Sequence, residues 1–123
     1  MNKCIFCKIV AGEIPSYKIY EDEQYLAFLD VFPKTSYQML VIPKQHIEWV
    51  WDVPKLGEYY ELVGKIARHV REVSGLPVRQ MVYGFQVSHA HIQLRPGQKN
   101  DRDGSQVTET ELEEWQRKFA LTK

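Results

Sequence analysis

The chain has 123 residues and 14.5 kDa, with 16 basic and 16 acidic side chains, 44% hydrophobic and 12% aromatic residues. That length fits one domain, and the apolar fraction is enough for one compact core, which argues against wholesale disorder. Zero formal charge and a pI near 6.9 argue against binding nucleic acid or an anionic membrane through bulk charge.

The longest strongly apolar stretch, around Met39 to Ile42, is about five residues, far too short for a transmembrane helix. Met1-Asn2-Lys3-Cys4 opens no signal-peptide pattern, because Lys8 and Glu13 interrupt any apolar region. The expectation is a soluble cytoplasmic protein with reduced thiols.

In chain order, Met1 to Pro15 carries both cysteines and closes on Gly12 and Pro15. Tyr17 to Tyr20 and Tyr25 to Asp30 read as short strands separated by the acidic turn Glu21-Asp22-Glu23. Phe32 to Ser36 reads as a loop, and Gln38 to Ile42 as a buried strand stopped by Pro43. Asp52 is a candidate helix cap with Pro54 in the first turn. Leu56, Tyr59, Tyr60, Val63, Ile66, Ala67, Val70 and Val73 then recur at helical spacing until Gly75 and Pro77.

Val78 to Tyr83 and Val87 to Leu94 read as a strand pair joined at Gly84. Pro96 to Gln106, rich in Gly and charge, reads as a flexible loop of the 1–123 domain. Thr108 and Glu111 form a capping box before a short helix faced by Leu112, Trp115 and Phe119. These elements predict an α+β fold: an antiparallel sheet with one long and one short helix.

The chemistry concentrates in Ser88-His89-Ala90-His91-Ile92-Gln93-Leu94. If this run is a strand, His89, His91 and Gln93 share one face. Taken alone, His-x-His reads as a half-buried strand whose polar side meets water. Cys4-x-x-Cys7 has the spacing for two thiolates on one metal, but structural zinc prefers four ligands, and two buried thiols near a terminus are an equal reading. His46 follows a Pro-terminated strand, where a turn can aim it inward. His69, between Arg68 and Val70-Arg71, reads as a solvated surface side chain.

Four blocks together, Cys4 to Pro15, Leu26 to Asp30, Leu40 to His46 and Val87 to His91, strongly resemble the histidine triad (HIT) superfamily in order and approximate spacing. The resemblance implies a nucleotide-binding α+β protein, a homodimer, that attacks an α-phosphate and acts as a hydrolase or nucleotidyl transferase. It places His91 as the nucleophile that forms a nucleotidyl-histidine intermediate. It assigns Cys4, Cys7, His46 and His89 to a closed, structural zinc. Ile5, Phe6, Ile9 and Phe28 fall where members pack the base, and Asp30 where a carboxylate binds the ribose hydroxyls.

Two departures modify that picture. Gln93 stands where the third histidine would be, as in the branch with galactose-1-phosphate uridylyltransferase and diadenosine tetraphosphate phosphorylases. A glutamine amide hydrogen-bonds but cannot act as a general acid. Catalysis by His91 and Gln93 should therefore favour phosphoanhydrides, such as dinucleoside polyphosphates, over phosphoramidates. Tyr37-Gln38 also replaces a Gly-His pair, and the loop Tyr83 to Gln86 is short, which leaves Lys44, Arg95 or a partner subunit as sources of phosphate contacts. The competing expectation is a zinc-stabilised nucleotide-binding protein with little turnover. Neutral charge makes a nucleic-acid module the weakest reading.

Overall fold

The computed structural model describes residues 4–122. Met1-Asn2-Lys3, the start of the stretch read for a signal peptide, lie outside the described residues. Helix α1 (Ile5–Val10) is followed by β1 (Lys18–Glu21), β2 (Tyr25–Leu29), β3 (Met39–Pro43), a 3-10 turn at Val50–Asp52, α2 (Leu56–Ser74), β4 (Val78–Met81), β5 (Ile92–Pro96) and α3 (Glu109–Phe119). The strands form one five-stranded sheet in the order β1-β2-β3-β5-β4, with every neighbouring pair antiparallel.

The sheet is covered on both faces, so its central strands are buried throughout rather than alternating with water. Ala27, Leu29, Met39, Val41, Ile92 and Leu94 face the α2 and α3 side, where Tyr59, Val63, Ile66 and Phe119 complete the main core. Leu26, Phe28, Leu40 and Ile42 point the other way and meet Phe6 and Ile9 of α1. The period-two alternation of strand side chains produces this division. It puts Gln93 and Arg95 on the α1 face.

Several boundaries differ from the sequence expectation. The cysteine segment forms a third helix, α1, six residues long. Asp52 caps nothing in α2: it ends the 3-10 turn, Val53 before Pro54 is extended, and Lys55 takes a left-handed conformation before the helix begins at Leu56. Pro54 accounts for this, since the residue before a proline is disfavoured in the helical region. Tyr60 and Val73, expected on the buried face, are exposed, while Leu62 is buried.

The strand expected over Val87 to Leu94 begins only at Ile92, and β4 stops at Met81 rather than Tyr83. Beyond the pairing of Val41 with Ile92 the chain leaves β3, and the Ala90 N–H donates to the Ile47 carbonyl. His89 and His91 thus sit on the approach to β5. The Gly75 left-handed cap and the Thr108 cap, whose hydroxyl accepts from the Glu111 N–H at 3.2 Å, are as expected. The loop after β5 is tied back through Arg102 N–H to Lys34 O, Asp101 to Ser36 and Val107 N–H to Val31 O. His69 is half-buried, not solvated, and lies 2.8 Å from the Phe119 carbonyl, joining α2 to the end of α3.

Candidate metal centre and nucleotide pocket

Helix α1 is too short to persist alone. Its start is held by Cys4, whose Sγ accepts the Cys7 N–H at 3.4 Å, and its end by Gly12 at φ 81°. One turn separates Cys4 from Cys7, so both sulfurs share the start of the helix. The turn after β3 brings His46 there, and the approach to β5 brings His89. Their four ligand atoms all lie within 4.8 Å of one another. Cys7 Sγ is 3.2 Å from His46 Nδ1 and 3.4 Å from His89 Nδ1, and Cys4 Sγ is 3.5 Å from His89 Nδ1.

These separations can be compared with a tetrahedral zinc. Bonds of about 2.3 Å to sulfur and about 2.05 Å to nitrogen give an S···N edge of about 3.5 Å. The donor set therefore fits a metal in size as well as in chemistry. His89 is fully buried, and its Nε2–H donates to the Pro43 carbonyl at 2.7 Å, which leaves the Nδ1 lone pair facing the sulfurs. Burial lowers the pKa of this imidazole, with the charges of His46 and His91 adding to that and the Pro43 contact opposing it. The neutral form, the one that binds metal, is favoured.

Next to this cluster lies a cavity of about 370 Å³. Ile5, Phe6 and Ile9 of α1, Phe28 of β2, Asp30, His91 and Gln93 all line it, so the structure brings together every residue the resemblance assigned to nucleotide binding or catalysis. Phe6 meets Phe28 edge-on with centroids 5.6 Å apart, and its ring also packs edge-on against His89 and His91 at 5.9 and 5.3 Å. One phenyl ring thereby joins the metal cluster to the pocket. His91 is 3% exposed, and its Nδ1–H donates to the His89 carbonyl at 2.8 Å. That bond fixes the tautomer and leaves the lone pair on Nε2.

At the other end, Asp30 Oδ1 accepts the Phe32 N–H at 2.9 Å, and Oδ2 accepts the Gln38 amide at 2.8 Å. Gln38, 2% exposed, in turn accepts the Lys34 N–H at 3.0 Å. Gln38 was visible in the sequence only as a departure, and the structure makes it the brace of Asp30. Its neighbour Tyr37 takes φ 66°, a left-handed conformation that suits the glycine it replaces, and rests on Trp115 and Phe119.

Of the two cations considered for phosphate, Lys44 forms an ion pair with Glu21 at 2.8 Å and lines no part of the cavity. Arg95 instead donates from Nε and Nη2 to Gln93 Oε1, at 3.1 and 2.8 Å. With its carbonyl oxygen so engaged, Gln93 has its amide N–H groups available to the pocket.

Residues 11–100 match the HIT domain model. Protein hit of Bacillus subtilis is 43% identical over 103 residues, covering 77% of this chain and 71% of that protein. The adenosine 5'-monophosphoramidase HNT1 of Saccharomyces cerevisiae is 32% identical over 107 residues, covering 82% and 66%. A zinc-bound histidine triad family protein from Mycobacterium smegmatis superimposes with a TM-score of 0.74 at 32% identity, over 96% of this chain and 94% of that one. With the family model matching residues 11–100 of the 123 and relatives above 30% identity, the protein belongs to the histidine triad family.

Proposed function

We propose that the protein is a nucleotide hydrolase or nucleotidyl transferase acting on phosphoanhydrides such as dinucleoside polyphosphates, through a covalent nucleotidyl-His91 intermediate. The observation that carries this reading is the tautomer of His91. A buried imidazole held at Nδ1 by a carbonyl has, as the neutral ring, its lone pair on Nε2, beside an apolar pocket with a carboxylate at its far end. Nε2 attacks the α-phosphorus, forming an N–P bond, and the P–O anhydride bond breaks with its electron pair on the departing phosphate oxygen. Water or another acceptor then attacks the same phosphorus, the N–P bond breaks back to Nε2, and the acceptor's proton passes to solvent.

Ile5, Phe6, Ile9 and Phe28 clamp the base, and Asp30 accepts from the ribose hydroxyls through lone pairs not used by Phe32 and Gln38. The amide of Gln93 donates to phosphate oxygens but supplies no proton to the leaving group. Departing phosphates are stable anions and need little such help, whereas an amine needs it. Phosphoanhydrides should therefore exceed phosphoramidates in kcat/KM, although the yeast relative is named for a phosphoramidate.

Cys4, Cys7, His46 and His89 would hold zinc. With four protein ligands the ion would be closed to substrate and would serve to join α1 to the approach to β5. The free outer edge of β4 and the exposed Val82 and Tyr83 beside it support a homodimer, and a site that needs reduced thiols supports the cytoplasm.

The test is intact-protein mass after brief incubation with diadenosine tetraphosphate. Wild type should gain one adenylyl group, labile to acid, and His91→Ala should not. An adduct that persists in His91→Ala would remove the nucleophile assignment. Neither adduct nor product with any phosphoanhydride would favour a nucleotide-binding protein with little turnover.

A further inference from the structure

A second cleft, of about 400 Å³, is lined by Lys34, Tyr83, Phe85, Gln86, Arg95 and Asn100. Arg95 is only 7% exposed. A buried charge is costly unless an opposite charge or a full set of hydrogen bonds compensates it. Here the sole bonding partner of Arg95 among the described residues is the neutral oxygen of Gln93, which occupies Nε and one Nη2 proton. No carboxylate lies within ion-pair reach: the two ion pairs among the described residues both belong to Glu21. In the adjoining loop, Asp101 accepts from the Ser36 N–H and hydroxyl, and Asp103 from the Ser105 N–H.

The surroundings add positive charge. Arg79 of β4 stands directly opposite Arg95 in the ladder, and opposed residues of antiparallel strands share a face. Like charges in that relation repel. Arg79 donates to the Gly97 carbonyl and Asn100 Oδ1, both at 3.0 Å and both neutral. Lys34 Nζ reaches only the Asp103 backbone carbonyl, at 3.4 Å. Arg95 and Lys34, which line the cleft, and Arg79 behind them have no ion-pair partner among the described residues, in a chain whose formal net charge is zero.

The position of the cleft indicates which anion would compensate them. Gln86 lines both this cleft and the nucleotide pocket, and Gln93, which lines that pocket beside His91, is the partner of Arg95. The two cavities therefore adjoin through Gln86 and Gln93, and the register sets Arg95 one step beyond Gln93 from His91, in the row of Gln38 and Asp30.

We infer that this cleft is a phosphate subsite organised by Arg95, which takes the phosphate chain beyond the scissile bond or an incoming orthophosphate. The guanidinium fork suits phosphate oxygens, and the Tyr83 ring, 5.9 Å away, flanks it. The inference deepens the proposed function and rests on it for the identity of the chain. Its bond to Gln93 makes Arg95 a positioning residue as well, since it turns the Gln93 amide toward the reacting phosphate.

The experiment combines calorimetric titration with inorganic tripolyphosphate and a leaving-group comparison. Wild type should bind tripolyphosphate, and Arg95→Met should weaken it by about tenfold or more. Arg95→Lys should fall between, and Lys34→Gln, at an exposed position, should lose several-fold without threatening the fold. The ratio of kcat/KM for diadenosine tetraphosphate over adenosine phosphoramidate should drop about tenfold in Arg95→Met.

Unchanged tripolyphosphate affinity, no binding by wild type, or equal loss on both substrates would overturn the subsite while leaving the His91 chemistry intact. Tripolyphosphate binding that depends on Arg95 in a protein without turnover would uphold the subsite and overturn the catalytic reading instead. Orthophosphate that converts the adenylyl adduct to ADP in wild type but not in Arg95→Met would identify the incoming phosphate as occupant. Arg95-dependent binding without ADP formation would assign the cleft to the leaving chain.

Discussion

If Cys4, Cys7, His46 and His89 hold zinc, thermal stability must depend on free zinc with a slope set by linkage. Each tenfold increase in free zinc above the dissociation constant adds about 1.4 kcal/mol to the folded state. At about 2.1 cal/mol/K per residue, a chain of 123 residues has an unfolding entropy of about 0.26 kcal/mol/K. The Tm should therefore rise by about 5 °C per decade of buffered free zinc.

Cys7→Ala removes a sulfur that lies within 3.4 Å of both imidazoles, so it should abolish most of that slope. The loss should reach the pocket, because the cluster anchors α1, which carries Ile5, Phe6 and Ile9 into it. Differential scanning calorimetry in zinc buffers, with nucleotide affinity measured in parallel, reads both effects. A zinc-independent Tm in wild type, or the same slope in Cys7→Ala, would refute the ligand assignment. An unaltered nucleotide affinity after zinc removal would refute the coupling of the cluster to the pocket.

Two further outcomes test separate parts of the fold. Tyr59 is fully buried, and its hydroxyl donates to the Val41 carbonyl at 2.6 Å, so Tyr59→Phe should cost about 1–2 kcal/mol and lower the Tm by about 4–8 °C; a shift below about 1 °C would mean that the bond contributes nothing. Hydrogen bonds from Lys44, then Lys18, hold the Glu21 carboxyl below its usual pKa, so the stability it contributes is complete above the ordinary carboxylate range and is lost as pH falls through the folded value. Being partly exposed, the interaction should contribute less than about 1 kcal/mol, and Lys44→Met should flatten that acid limb of the stability curve while leaving the leaving-group ratio unchanged. A changed ratio would return Lys44 to the phosphate site.

The candidate site was legible through the four blocks that resemble the family taken together, since each local motif alone has a structural reading. Cys4 and Cys7 lie one helical turn apart, and His89, His91 and Gln93 keep one side of the chain even though β5 begins only at Ile92. The same holds for Phe28 and Asp30 at the end of β2. The sheet strands were readable from short apolar runs, and α2 from its spacing and its Gly75 stop, whereas the false cap at Asp52 came from reading a capping residue without the constraint that Pro54 puts on Val53.

What depends on register and packing was not legible. The sequence alone, through the four blocks that resemble the family, marked which side chains to consider for chemistry, while spacing fixed only which of them could share a turn or a face. It could not determine that Lys44 is paired with Glu21, that His69 closes on Phe119, that Gln38 braces Asp30, or that Arg95 lies opposite Arg79 without a carboxylate. Each of these relations joins side chains whose distance is set by how strands align and loops return. A charge looks the same in a sequence whether solvent, a carboxylate or a substrate phosphate will compensate it, and only the tertiary structure distinguishes the three.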